Sequence, residues 1–223
     1  MWQCLPVPVF GHHKSSSVRV ATVGLNPSAT EFLNDEGNWK SVTERLPLVT
    51  DFGVRERDHV SSVDLERAAN LRATYFERTP HSWFGSIQGL LSALNTDWNY
   101  SAGTAVHVDL VACGTWRKWS KMSNRTTSAL VENCHKHLKQ TLTELRDGTL
   151  LLLDGETVNK TLAAGLGFGE RVEQDIGNVT VWSGSLQVAG KCFDYAGWSK
   201  PVNHLENWFD LVHWLRGATA NCN

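Results

Sequence analysis

The stretch of sequence that decides the fold class is Thr149-Leu150-Leu151-Leu152-Leu153, a threonine followed by four leucines. A short, fully apolar run of this kind is typical of a strand that is covered on both faces of a sheet. Sheets with both faces covered are mostly parallel and carry helices on each side. The run therefore predicts an α/β protein.

Strand and helix patterns alternate on both sides of this run. Further strands are expected at Ser17–Val23 and Ala105–Ala112, and a hairpin at Val179–Trp182 and Leu186–Tyr195, turning at Ser183-Gly184-Ser185. Amphipathic helices are expected between and after them, at about 63–75, Ser82–Leu94, Thr126–Leu145, Gly155–Leu162 and Leu205–Leu215. This order predicts a three-layer α/β/α domain over residues 1–223, with a central, mostly parallel four-stranded sheet.

The composition excludes several classes of protein. The 223 residues include 20% charged residues and carry a net charge of -2, which excludes collagen-like, disordered and coiled-coil chains. We expect a cytoplasmic protein, because we find neither a signal peptide nor a membrane-spanning apolar run, and we expect it to be a monomer. The five cysteines are scattered without a CxxC pair, and the histidine spacings do not suit a metal. We therefore expect no disulfide scaffold, no metal and no cofactor.

The first candidate site follows the first predicted strand. Ligands of such folds bind at the carboxyl ends of the strands. There the chain reads Gly24-Leu25-Asn26-Pro27-Ser28. Glycine lets the backbone approach a ligand closely, and Asn26 offers a short amide at the sheet edge. The alternative interpretation is an ordinary turn between a strand and a loop.

The second candidate is Asp109, inside a strand that otherwise reads as buried. Buried carboxylates are rare unless they are paired or hydrogen-bonded. Asp109 is therefore either an acceptor in a binding site or a structural residue that caps a neighbouring loop.

Two loops combine tryptophan with basic residues, in a chain with ten tryptophans in all. After Asp109, Trp116 stands beside Arg117, Lys118 and Lys121, which predicts a surface for phosphates and stacked bases. The alternative is a solvated loop with its indoles packed inward. The second such loop follows the last strand and reads Trp198-Ser199-Lys200-Pro201. We expect Trp198 to stack on a base or wedge between bases, Lys200 to contact phosphate, and Pro201 to stiffen the chain.

Taken in order, these segments resemble the uracil-DNA glycosylase superfamily. The first motif, Gly24–Ser28, is similar to the motif whose Asp or Asn orients the attacking water, so the resemblance implies that role for Asn26. Asp109 falls where the family carries the Asn that reads the flipped base. Leu150–Gly155 resembles the apolar strand before the family's third helix, and Trp198–Val202 its DNA-inserting loop.

The resemblance also implies roles for residues around these motifs. Gly24 and Leu25 would contact the base, and Trp39 would stack on it, since related enzymes place an aromatic residue in this loop. Contacts to DNA, double- or single-stranded, are expected from both sides of the cleft, through Ser28, Trp116, Arg117, Lys118, Lys121, Trp198, Ser199, Lys200 and Pro201.

Two departures from the family pattern bear on the substrate. The last motif of the best-known members begins His-Pro-Ser-Pro, whereas this chain has Ala196-Gly197-Trp198, so the family's histidine is missing or replaced. Asp109 replaces the base-reading Asn, and an ionised carboxylate accepts from the amino group of cytosine but not from O4 of uracil.

The expected function is that of a monofunctional DNA glycosylase that hydrolyses the N-glycosidic bond of a flipped, modified cytosine and has no lyase activity. Some branches of the superfamily defend bacteria against phages with hydroxymethylated and glucosylated cytosines, and such a base would suit Asp109. Three alternatives stay open. They are a uracil or mismatch-repair glycosylase with protonated Asp109, a non-catalytic nucleic-acid-binding α/β protein, and a small-molecule hydrolase, although the GxSxG motif of serine hydrolases is lacking.

Overall fold

Seven strands form one sheet in the computed structural model, which describes residues 4–55, 59–78, 80–166, 169, 171–204 and 208–219. The strands are Val9–Phe10 (β1), Val20–Gly24 (β2), Ala105–Asp109 (β3), Leu150–Asp154 (β4), Arg171–Ile176 (β5), Val179–Val188 (β6) and Lys191–Trp198 (β7). Their order across the sheet is β1-β3-β2-β4-β7-β6-β5. The leucine run is β4, an interior strand between β2 and β7, as its composition predicts.

The sheet is mixed. β3, β2, β4 and β7 run parallel, whereas β1 is antiparallel to β3, and β6 is antiparallel to both β7 and β5. The α/β class is thus confirmed, but the expected four-stranded sheet is too small. β1 has only two residues, and β5 is almost entirely exposed, so neither strand has the apolar pattern that reveals a strand in a sequence.

The predicted turn at residues 183–185 is wrong. β6 runs straight through these residues, and the chain turns at Ala189-Gly190, between the paired residues Val188 and Lys191. Both turn residues have positive φ, 48° and 85°, as in the type I′ turn that commonly closes a two-residue hairpin. The Ser-Gly-Ser composition resembles a turn, but the strand accommodates it.

Five helices of the described ranges cover the sheet, namely Ser62–Ala73 (α1), Ser82–Leu94 (α2), Asn124–Glu144 (α3), Glu156–Leu166 (α4) and Phe209–Thr219 (α5). α2 has the bounds that its periodicity predicts. The expected start of the last helix, Leu205, lies outside the described residues. None of the helices in the described part of the chain combines the length and the apolar composition that a membrane span needs.

Alternate residues of the strands face two separate apolar layers. Leu150 and Leu152 pack in the layer formed with α2 and α5, whereas Leu151 and Leu153 pack with α3 and α4. This division follows from the two-residue repeat of a strand. It produces the expected three layers, with the sheet in the middle. The four described cysteines, Cys4, Cys113, Cys134 and Cys192, form no disulfide with one another, and Cys222 lies outside the described residues.

The register of the parallel strands aligns their carboxyl ends. Gly24 pairs with Asp109, and Asp154 pairs with Trp198, so the last residues of four strands lie along one edge. By the same two-residue repeat, these positions share the face of the sheet that α2 and α5 cover. The loops that follow the strands therefore converge above this face.

Candidate functional site

A cavity of about 340 Å³ opens at this edge. Its volume lies at the small end of the usual range for ligand pockets, about 300–1,000 Å³. Six segments of the chain line it. Their lining residues are Phe10; Gly24, Leu25, Asn26, Pro27, Ser28 and Glu31; His81, Trp83 and Phe84; His107 and Asp109; Asp154 and Val158; and Pro201 and His204. The first predicted motif and Asp109 thus meet in one cavity.

Two larger cavities lie elsewhere, but they lack the feature that marks this one. One, of about 580 Å³, lies between residues 11–15, α1 and α3, and one, of about 860 Å³, lies at the amino ends of the strands. Neither is lined by a buried side-chain polar atom without a partner among the described residues. The cavity at the carboxyl ends has such an atom, Oδ2 of Asp109.

Gly24 is required by the close approach of two side chains. A Cβ atom at this position would lie 2.8 Å from Nε2 of His107 and 3.1 Å from Oδ1 of Asp109. A larger side chain at this position would therefore displace His107 or Asp109. The glycine of the first motif serves the packing of the site itself.

The amide of Asn26 is held in one orientation. Its Nδ2 donates to the carbonyl of Pro27 at 2.8 Å and to Oγ1 of Thr115 at 2.9 Å. Thr115 in turn donates its hydroxyl proton to the carbonyl of Arg117, so its oxygen can only accept from Asn26. Both amide hydrogens are thereby used. The side-chain oxygen of Asn26 has no donor among the described residues and is left for a ligand or a water molecule.

Asp109 is buried, as the sequence predicts, and contacts the last member of a hydrogen-bonded chain. Its Oδ1 lies 3.4 Å from Nε2 of His107, Nδ1 of His107 lies 2.9 Å from Oγ1 of Thr22, and Thr22 lies 2.5 Å from the hydroxyl of Tyr100. The hydroxyl and imidazole protons of this chain have acceptors if Tyr100 donates to Thr22, Thr22 to Nδ1, and Nε2 points its proton at Oδ1 of the carboxylate.

The second oxygen of Asp109 has no partner in the described part of the chain. Burial raises the pKa of Asp109, and the contact with His107 lowers it by less. Because a stranded buried acceptor is costly, this atom needs a donor that enters the cavity from outside. The pKa direction also means that protonated Asp109 is a competing state, in which the same atom would donate.

Glu31 is a second buried carboxyl group in the cavity wall, and sequence reasoning missed it. The hydroxyl of Tyr75 donates to its Oε2 at 2.5 Å. Burial raises the pKa of Glu31 to about 7, while the hydrogen bond from Tyr75 lowers it. Glu31 lies in a short 3₁₀ turn, Ala29–Glu31, so no helical or strand periodicity distinguishes it from a surface glutamate.

Asp154 lines the cavity but acts as a structural residue. Its Oδ1 accepts from Nε1 of Trp198 and from the backbone amide of Val202, each at 2.8 Å, and its Oδ2 accepts from Nε1 of Trp83 at 3.1 Å. Burial nevertheless raises its pKa on balance. Asp154 thus fixes the loop after β7 to the amino-terminal end of α2.

Trp198, which the sequence predicts to stack on or wedge into DNA, lies inside the fold. Its side chain is fully buried, and its indole nitrogen is committed to Asp154. The neighbouring Ser199 is also tied to the sheet, because its hydroxyl accepts from the amide of Thr180. Pro201 lines the cavity and is exposed, and Lys200 is half-buried.

Replacing Asp154 with alanine should destabilise the protein by at least about 3 kcal/mol, because it strands three donors at about 1–3 kcal/mol each. Chemical denaturation measures this difference. Asp147→Ala is the control, since Asp147 is 81% exposed, and it should change stability by no more than about 0.5 kcal/mol. If the two variants have the same free energy of unfolding, Asp154 does not have this structural role.

The aromatic wall of the cavity is formed by Trp83, Phe84 and Phe10, whose rings lie 5.0, 5.1 and 5.6 Å from the ring of His107. Trp39, the aromatic residue expected to stack on the base, is not in this wall. It is 54% exposed and forms an antiparallel bridge with Leu33 in the long loop. The helical periodicity of the sequence predicts that Trp83 lies on the apolar face of α2. It does not indicate that the first turn of α2 lies at the cavity.

The residues of the loop after β3 that the sequence predicts to contact phosphates are exposed, but they do not line the cavity. Trp116, Arg117, Lys118 and Lys121 are exposed in the loop after β3, and Ser28 is exposed at the cavity mouth. Leu25 is half-buried and packs against the layer of α3 and α4. His204 enters the cavity wall from the turn Val202–His204, a position that the sequence could not assign.

No three of the described histidine, cysteine, aspartate and glutamate side chains converge as a metal site would require. Comparison of the chain with family models, with curated proteins and with solved structures finds no match.

Proposed function

We propose that the protein is a DNA glycosylase that hydrolyses the N-glycosidic bond of a flipped, modified cytosine and leaves an abasic site. One observation carries the proposal. Two acceptor oxygens to which none of the described residues donates, one on Asn26 and one on Asp109, belong to one small cavity with aromatic walls. This combination suits an extruded base together with a water molecule. The resemblance of the motif order to the uracil-DNA glycosylase superfamily supports the same proposal.

The aromatic wall supports binding of the base. A base that leaves the stack must exchange its neighbours for other flat apolar surfaces. Stacking on an aromatic side chain contributes about 1–3 kcal/mol per base and is tolerant of sequence. Trp83 and Phe84, at the start of α2, offer such surfaces.

Asn26 would position the attacking water. Its amide orientation is set by Thr115 and Pro27, so its oxygen accepts a hydrogen bond from water. The water oxygen bonds to C1′ as the bond from C1′ to the base nitrogen breaks, and the bonding electron pair leaves with the base. A neutral amide is a poor base, so Asn26 contributes by orientation.

Asp109 would read the base. In its ionised form the free oxygen accepts from the N4 amino group of cytosine. In its protonated form the same oxygen donates to O4 of uracil, and the raised pKa of Asp109 favours this second candidate, a uracil glycosylase. A modified cytosine is the first choice because unmodified host cytosine must be spared. Such an activity would suit defence against phages with hypermodified DNA.

Hydrolysis without strand cleavage is the expected reaction course. A glycosylase with lyase activity needs an amine that forms a Schiff base with C1′. The described residues of the cavity wall include no lysine. The product should therefore be an intact strand with an abasic site.

The test is an abasic-site assay on matched single- and double-stranded oligonucleotides that contain uracil, cytosine, hydroxymethylcytosine or glucosylated hydroxymethylcytosine. Strand cleavage only after alkali, on a modified cytosine, would support the proposal. Release of uracil alone would replace it with the second candidate. DNA binding without base release would identify a non-catalytic binding protein, and neither binding nor release would point to a small-molecule enzyme.

DNA affinity should depend on local positive charge, despite the net charge of -2. Neutralising Arg117, Lys118 and Lys121 should weaken binding to all sequences alike. It should also flatten the plot of log affinity against log salt by about 0.9 per lost phosphate contact on duplex DNA. Lys139→Ala, an exposed position on α3, is the control and should leave the slope unchanged. If the salt dependence of the triple variant equals that of the wild type, the loop after β3 does not contact phosphates.

A further inference from the structure

The cavity contains a carboxyl group for which the mechanism above has no use. Glu31 lines the same wall as Asn26 and Asp109 and is buried, with only 7% of its surface exposed. Glutamate is almost never buried without a partner. Among the described residues its side chain has one hydrogen-bond partner, Tyr75, which holds Oε2 and leaves Oε1 for another group.

The water that Asn26 orients must lose a proton when it bonds to C1′. An amide oxygen accepts a hydrogen bond but does not take up a proton at neutral pH, so Asn26 leaves the reaction without a base. A general base contributes about 10²–10⁴-fold to a rate when it has a suitable position and proton affinity. The mechanism therefore needs a general base, and a carboxylate in the cavity wall can act as one.

We propose that Glu31 is the general base of the reaction and takes the proton from the water that Asn26 positions. This role rests on the proposed glycosylase function. The water oxygen bonds to C1′, one water proton moves to Oε1 of Glu31, and the bond between C1′ and the base nitrogen breaks with its electron pair on the base. Glu31 then returns the proton to the departing base, so that H and OH are added across the broken bond.

The place of Glu31 in the cavity wall is the basis of this assignment, and the proton affinity of its carboxyl group supports it. Burial raises the pKa of Glu31 to about 7, which is where a base is effective at neutral pH. The groups that act on it come from three segments: Tyr75 by hydrogen bond and Arg78 by opposite charge from one turn, Lys40 by opposite charge, and Asp109 by like charge. His81 is near as well, since its backbone amide donates to the hydroxyl of Tyr75.

The rate of base release at saturating enzyme should rise about tenfold per pH unit below pH 7 and level off above it, because only ionised Glu31 accepts a proton. Glu31→Gln should lower the plateau by about 10²–10⁴-fold and abolish this rise. Glu44→Gln, an exposed glutamate of the same long loop, is the matched control and should behave as the wild type.

Tyr75→Phe tests the assignment to Glu31 without removing its carboxyl group. The hydrogen bond from Tyr75 lowers the pKa of Glu31, so its loss should move the midpoint of the pH profile upward. Asp109 also titrates in this cavity, and the midpoints observed for two coupled carboxyl groups belong to the pair and not to either residue. Tyr75 bonds to Glu31 and not to Asp109 among the described contacts, so a shift in Tyr75→Phe identifies Glu31.

The outcomes separate this role from the function on which it rests. If the wild type releases no base from any DNA, the glycosylase function fails, and the role of Glu31 fails with it. If the wild type is active and folded Glu31→Gln keeps its rate and pH profile, only the role of Glu31 is wrong. An altered base preference with an unchanged rate would likewise overturn it. If Glu31→Gln does not fold, an unmoved midpoint in Tyr75→Phe decides against the proposal.

Discussion

Asn26→Ala is expected to slow base release by at least about 100-fold while the protein stays folded and keeps its affinity for DNA. The loss follows from the geometry of the amide, whose two hydrogens are held by Thr115 and Pro27 and whose oxygen is left to orient water. Single-turnover rates at saturating enzyme measure the chemical step without a contribution from binding.

Two further variants sharpen this test. Thr115→Ala removes one of the two acceptors that orient the amide, so it should slow the reaction less than Asn26→Ala does. Asn38→Ala changes an exposed asparagine in the following loop and should have no effect. A folded Asn26→Ala protein with the rate of the wild type would show that another group positions the water.

Asp109→Asn is expected to change the base preference. Ionised Asp109 accepts from N4 of cytosine, whereas an asparagine amide can present either an acceptor or a donor. The ratio of release rates, modified cytosine over uracil, should fall by roughly tenfold to a hundredfold, which corresponds to about 1–3 kcal/mol of discrimination. Competition between the two bases in one mixture of labelled oligonucleotides measures this ratio directly.

The pH dependence of the same ratio reports the protonation state of Asp109. Burial raises its pKa, so protonation as the pH falls replaces an acceptor with a donor. The wild-type preference for modified cytosine should therefore weaken toward low pH, and the ratio in Asp109→Asn should not change with pH. A preference that is unaffected by the substitution would show that Asp109 does not read the base.

Much of the secondary structure could be predicted because its signals are local. α2 has the predicted bounds, and the leucine run of β4 is an interior strand, since four consecutive apolar residues need cover on both faces. The strands without a local signal were missed. β5 is nearly all exposed, and the Ser-Gly-Ser segment resembles a turn although β6 passes through it.

By itself the sequence determined that Asn26 and Asp109 would meet, because the carboxyl ends of neighbouring parallel strands lie at one edge of a sheet. Only the tertiary structure decided which other side chains join them. It brings Glu31 and Trp83 into the cavity wall, leaves Trp39 outside it, and buries Trp198 against Asp154. These placements depend on contacts between segments far apart in the chain. A side chain in a loop or at a strand end has no periodicity that indicates its direction, and the neighbours that determine its burial are absent from its local sequence.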